Sequence, residues 1–241
     1  MSLFSVFSLT VLYQLLRREP VGDSLRNMTW LHQGGRLYAF TRIELVATIA
    51  VGVVLGALAV CALADAKAKS RGICCNCRLK QIGLAFRIFA SDHGDAFPMS
   101  ISPNKGGSME FGSEAFRHFQ GLSNEMSTPK VLVCPSDTRK PAHGFSLLSN
   151  ANISHFLGVD AKESAPQVLL AGDRNLMTNG VPVGSGLLQL TPNLTVGWTA
   201  QMHNNAGNAA FGDGHVDSLS GNRLQEQLIN SGVATNRLLI P

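Results

Sequence analysis

The densest set of side chains able to hold a metal or move a proton lies near the C-terminus, where His203, Asp213, His215 and Asp217 follow one another closely. If residues 208–219 form a hairpin, the period of two puts His215 and Asp217 on one face and leaves Asp213 in the turn itself. An Asp-Gly pair there serves backbone geometry and amide capping. Asp213 and Gly214 are therefore expected to be structural, and His203 to order the approach to the hairpin by hydrogen bonding rather than to bind metal or act as a base. The other histidines, His93, His118, His143 and His155, stand isolated.

Five cysteines occur: Cys61 within an apolar run, Cys74, Cys75 and Cys77 in one cluster, and Cys134 far downstream, followed by Pro135. A structural zinc site asks for a second close pair or a Cys/His pair at ligand spacing, and Cys134 stands alone in sequence. In an oxidising compartment one long-range disulfide from the cluster to Cys134 is the better expectation, with its partner open among the three. Asp92, Asp95 and Asp173 are too few to ligate calcium. There is no Gly-x-Ser-x-Gly elbow, phosphate loop or recognisable pair of acids, and Ser136 beside Asp137 is an ordinary polar pair. The chain is expected to be no enzyme and to carry neither metal nor cofactor.

The elements that position these residues are legible in the composition. Hydrophobic residues make up 45% and charged residues 15% of the chain, and the apolar excess is concentrated. Residues 45–64 form a run of 20 without a charge, matching roughly 30 Å of hydrocarbon at about 1.5 Å rise per residue. This is a transmembrane helix by length and composition. Glu44 stands at its lip, where an unpartnered acid would cost several kcal/mol. Beyond residue 64, helical periodicity continues, with Leu79, Ile82, Phe86 and Phe89 spaced three, four and three apart. Gly94 is a natural stop and Pro98 prevents resumption.

From residue 97 onward there are 9 Lys/Arg against 10 Asp/Glu, so the +4 net charge arises upstream and the downstream region lacks the basic face of a nucleic-acid binder. Short β-like runs at residues 130–134, 144–148, 153–159, 167–173, 186–190 and 208–219 alternate with Gly, Pro, Asn and Ser, which suits a small antiparallel sheet. A helix over residues 222–230, capped by Asn222 and ended by Gly232, closes the pattern. The fold class is α+β.

The stretch Tyr38-Ala39-Phe40-Thr41-Arg42-Ile43-Glu44-Leu45 resembles the type IV prepilin and type II secretion pseudopilin N-terminal signature. The resemblance implies that Ala39 ends a leader, that Phe40 becomes the N-methylated N-terminus, and that Glu44 is the fifth-position acid that pairs with a neighbouring subunit's N-terminal ammonium. Ala39 stands where Gly is usual, and Arg42 where an apolar residue is usual. Three further features resemble the prepilin-type proteins with an H-X9-DG segment: Leu79-Lys80-Gln81 after the anchor, Cys134-Pro135-Ser136-Asp137, and His203 followed, after nine intervening residues, by Asp213 and Gly214. That family implies a disulfide between Cys75 and Cys134, with Cys74 and Cys77 as competitors.

The resemblance implies a pilin-like architecture, in which a long N-terminal helix, transmembrane and then amphipathic, packs on the sheet. Its parts are a leader at 1–39, an anchor at 40–64, an amphipathic stalk at 65–94 and an extracytoplasmic β-rich domain at 95–241. Residues 3–16 are apolar but too short to span comfortably. Flanking charge alone, five Lys/Arg in residues 65–84 against three in 20–44, would weakly keep the C-terminal domain in the cytoplasm. The family's topology places it outside a single-pass inner-membrane anchor. The expected partners are prepilin peptidase, other pilin or pseudopilin subunits and membrane lipid, with no nucleic acid. Two rivals remain, a membrane-tethered binding module that never polymerises and a metal-dependent hydrolase using His203, Asp213 and His215.

Overall fold

A computed structural model describes residues 41–241, so Ala39 and Phe40 lie outside the described residues. The described residues fall into two units, divided between Gly52 and Val53. Helix α1 occupies Arg42–Asp92. Its start is a reciprocal capping box, in which the Thr41 N–H donates to Glu44 Oε2 at 3.4 Å and the Glu44 N–H to Thr41 Oγ1 at 3.3 Å. Its end is set by Gly94 and Asp95, both left-handed (φ 65° and 62°), with the Asp95 N–H closing on the Ala90 carbonyl at 2.9 Å. The segment Arg42–Leu63 is long and apolar enough to cross a membrane, and none of its window is buried.

Further along α1, Cys75, Leu79, Ile82, Phe86 and Phe89 form one buried stripe, while Leu84 and Ile88 on the opposite side are exposed. The stripe packs on a six-stranded antiparallel sheet of order β5-β9-β1-β2-β7-β8. Its strands are β1 (His155–Gly158), β2 (Leu169–Asp173), β5 (Gly186–Leu190), β7 (Ala206–Phe211), β8 (Val216–Ser220) and β9 (Asn236–Ile240). Alternation divides β1, β2, β7 and β9 between two cores. Leu157, Ala171, Ala210 and Leu239 join the α1 stripe, with Phe97, Phe119 and Leu132 completing that side. Phe156, Leu169, Ala209, Phe211, Leu238 and Ile240 face the other way. There they meet helix α3 (Gly221–Asn230) and Trp198, which belongs to a small sheet of β3 (Leu176–Thr178), β4 (Val181–Pro182) and β6 (Val196–Trp198). A short helix α2 (Ala115–Gln120) lies in the long connection before β1. The protein is α+β, with an N-terminal apolar helix and an antiparallel sheet.

Two of the expected strands are not strands. Residues 130–134 begin as a 3₁₀ turn at Pro129–Leu132, because Pro129 at its first position and Thr128, whose hydroxyl accepts from the Lys130 N–H, start a helix-like turn. Residues 144–148 likewise hold a 3₁₀ turn, Phe145–Leu147. The last helix is preceded by Ser220 rather than Asn222. Strand β9, which lies between β5 and β1, was not expected from its five residues.

The hairpin of β7 and β8 has a three-residue connection rather than two. The Gly214 N–H returns to the Phe211 carbonyl at 2.8 Å and the Phe211 N–H to the His215 carbonyl at 3.0 Å, with φ positive only at Gly214. This is a type I turn followed by a left-handed residue, and Gly212 supplies the extra position.

Truncating Phe86 empties the centre of the α1 core. Phe86→Ala is expected to cost about 3–5 kcal/mol in chemical denaturation, whereas Leu84→Ala on the exposed side stays within about 0.5 kcal/mol. Equal losses in the two variants would show that the stripe does not hold the sheet.

Candidate functional site

Four metal-capable side chains from four separate segments converge in the Val53–Pro241 unit: Cys75, Cys134, Asp173 and His203, whose ligand atoms all lie within 4.8 Å of one another. Cys75 arrives on the buried stripe of α1, one turn before Leu79. Cys134 follows the 3₁₀ turn, where Arg78 of α1 donates to the Val133 carbonyl and the Ser154 N–H to the Leu132 carbonyl at 2.8 Å. Asp173 ends β2 on the face turned to α1, because it pairs in register with His155 and shares its side of the sheet with Ala171.

His203 is presented by a loop that holds its shape through strain and clamping. Met202, Asn204 and Asn205 all take positive φ (64°, 52° and 62°), each costing on the order of 1 kcal/mol for a non-glycine residue. Asn175 offsets that cost, its amide donating to the carbonyls of Thr199, Gln201 and Ala206 at 3.1, 2.8 and 3.2 Å.

Within the cluster the Cys75 thiol donates to Asp173 Oδ1 at 3.2 Å. His203 Nε2 lies 3.2 Å from Asp173 Oδ2 and 3.3 Å from Cys134 Sγ. The Ser136 N–H points to Cys134 Sγ at 3.4 Å. Asn208 on β7 donates its backbone and side-chain N–H groups to Asp173 Oδ2 at 2.8 and 2.9 Å. His155 Nδ1 lies 3.4 Å from Oδ1.

Burial pushes the Asp173 carboxyl up, but His155 and His203, whose ring nitrogens lie 3.4 and 3.2 Å from its oxygens, outweigh it and hold the group well below the ordinary carboxylate range. The hydrogen bond to Asp173, with a second to Cys134, raises His203 to about 10 against the opposing effect of burial. The two thiols split: their mutual hydrogen bond lowers Cys134 and raises Cys75. The cluster therefore sets two sulfurs and an imidazole against a fully buried carboxylate.

The residues singled out in the sequence are distributed unequally. Cys75, Cys134 and His203 come together, and both cysteines are unbonded thiols. Cys74 is partly exposed, and Cys61 and Cys77 are exposed. Asp213 and Gly214 occupy the hairpin tip, away from His203. Asp213 Oδ1 accepts from the His215 N–H at 3.0 Å and lies 2.5 Å from its Nδ1, and His215 stacks on Phe211 with ring centroids 4.3 Å apart. A side chain at Gly214 would strike Arg87 of α1, its Cβ falling 2.8 Å from Cδ. Asp173, considered with Asp92 and Asp95 for calcium, instead joins sulfur and nitrogen donors, and His155 is not isolated but faces it. Glu44 is exposed and engaged in the α1 cap. A cavity of about 280 Å³, lined by Arg71, Ser136, Met202, His203 and Asn204, opens onto the His203 side of the cluster.

No protein-family model, curated protein or solved structure matches this chain.

Beside the cluster, Arg174 donates Nε and Nη2 to the two oxygens of Asp137 at 2.8 and 2.9 Å, tying the Cys134 loop to the end of β2. Burial opposes ionisation of Asp137, but Arg174 prevails and its pKa falls to about 2. A group depressed on folding stabilises above its unfolded pKa, and that contribution is lost as pH falls through the folded value. The contribution of Asp137 is thus complete above pH about 4 and gone below about 2. Asp137→Asn is expected to cost about 2 kcal/mol at pH 6. In pH-dependent denaturation the gap to the wild type closes between those limits, and a gap independent of pH would refute the pair's role.

Proposed function

We propose that this chain is a non-enzymatic, single-pass membrane protein of the pseudopilin or minor-pilin kind. In this reading prepilin peptidase processes it between Ala39 and Phe40, it carries its β-rich domain outside the cytoplasm, and it assembles with related subunits through α1 in a type II secretion or type IV pilus-like system. The observation that supports it best is α1 itself. An exposed apolar segment of membrane-spanning length, Arg42–Leu63, belongs to the same helix as the buried stripe from Cys75 to Phe89. Free apolar surface on that scale demands lipid or other helices.

A second reading, a membrane tether that never polymerises, draws support from the N-terminus of α1. The Glu44 carboxylate already caps the helix through Thr41, so an acid at this position has a local role without a partner subunit.

Two measurements decide between them. Mass spectrometry of the chain from its native membrane is expected to find an N-methylated Phe40 as first residue, and an intact Met1 removes the basis for processing. Glu44→Gln keeps the reciprocal cap, which Gln also forms, while deleting the charge. Recovery of partner subunits with the Gln variant is expected to fall at least tenfold. Unchanged recovery would leave the tether.

A further inference from the structure

We propose that Cys75, Cys134, Asp173 and His203 form a structural binding site for one zinc-class divalent ion. This goes beyond the membrane and assembly reading and does not depend on it.

The donor set is two sulfurs, one imidazole nitrogen and one carboxylate oxygen, the combination that a borderline-soft, tetrahedral ion prefers over calcium or magnesium. With metal–ligand bonds of about 2.0–2.3 Å, the edges of such a tetrahedron measure roughly 3.3–3.8 Å. The four ligand atoms all lie within 4.8 Å of one another, and two of the separations, 3.2 Å from Cys75 Sγ to Asp173 Oδ1 and 3.3 Å from Cys134 Sγ to His203 Nε2, are at or just below the short end of that range. An ion enters after a small outward movement of side chains. Chemistry favours the exchange, since two thiols and a carboxylate, each able to ligate as an anion, converge with the His203 imidazole on one point.

Surrounding contacts have the form of an outer shell. Asn208 orients Asp173 with two hydrogen bonds, the Ser136 N–H meets the Cys134 sulfur, and the positive-φ residues around His203 fix the direction of its ring. Cys75, Cys134 and Asp173 are completely buried, and His203 keeps 12% of its side chain exposed beside the 280 Å³ cavity, which supplies a way in. Because all four positions come from the protein, with none left open, the site is structural rather than catalytic.

The test uses the full-length chain in detergent, with free thiols alkylated in one portion at lysis and the remainder kept reduced. The reduced protein is expected to hold one zinc per chain through buffer exchange. Cobalt loading is expected to give the intense visible bands and sulfur-to-metal charge transfer of tetrahedral thiolate ligation. Loss of an outer-shell partner weakens such sites about 10- to 100-fold, so His203→Ala, which removes a ligand, should weaken zinc binding by more than about a hundredfold. Cys74→Ser and Cys77→Ser should change nothing.

A readout on the wild type covers the case of a misfolded variant: a chelator should expose Cys134 to alkylation, with zinc restoring protection. The proposal falls if reduced protein binds no stoichiometric zinc, if cobalt spectra lack thiolate charge transfer, or if His203→Ala binds as tightly as the wild type. It falls equally if chelation leaves Cys134 reactivity unaltered, or if the portion alkylated at lysis contains a metal-free Cys75–Cys134 disulfide.

Discussion

A carboxylate taken wholly out of water costs several kcal/mol unless its lone pairs are met by donors or cations. Asp173 has no exposed surface, so the structure around it must supply them. The suppliers come from every part of the sheet domain that could otherwise drift: α1 through Cys75, β1 through His155, β7 through Asn208 and the 199–205 loop through His203. Strand register follows from the same demand. Slipping β2 by one residue against β1 would turn Asp173 toward Phe156 and Trp198, into a core that offers it nothing.

Asp173 and Arg174 divide their work by the alternation of the strand end. Asp173 faces α1, while the Arg174 guanidinium grips Asp137, and the Arg174 N–H reaches the Ser154 carbonyl at 3.0 Å. Arg139 adds a second clamp, donating to the carbonyls of Asn150, Ile153 and Pro241 and so drawing the C-terminal residue against the loop. A connection lacking strands between α1 and β1 is thus ordered by charged donors on backbone carbonyls, a role that aliphatic packing alone does not fill.

What the sequence revealed followed the range of the interactions. The apolar run, the stripe of Leu79, Ile82, Phe86 and Phe89, the Gly94 stop and the β7–β8 hairpin are local patterns with one period each, and each was legible. Residues 130–134 looked like a strand because their apolar content says nothing about Thr128 and Pro129, which set the turn. The convergence of Cys134 with Cys75, Asp173 and His203 spans 128 residues and four segments, from 75 to 203, and no spacing rule contains it. One signal was available: counting back from Leu79 by four places Cys75, and neither Cys74 nor Cys77, on the buried stripe. The capping box of Thr41 and Glu44 was also written in the sequence, as a Thr followed three residues later by a Glu at the head of an apolar run.

The separation of His203 from Asp213 and Gly214 has a mechanical meaning once β7 is in place. Six residues of strand at about 3.3 Å each cover roughly 20 Å. Along α1, the twelve residues from Cys75 to Arg87 rise about 18 Å at 1.5 Å apiece. The strand runs beside the helix, with His203 before it meeting the Cys75 cluster and Gly214 beyond it lying against Gly83 and Arg87. A residue inserted between them would break one contact or the other and, by the period of two, turn Asn208 away from Asp173 as well. The spacing therefore measures a strand held between two fixed points on a helix. His203 lies three residues before β7 and Asp213 two residues after it, so they flank the strand without sharing a site.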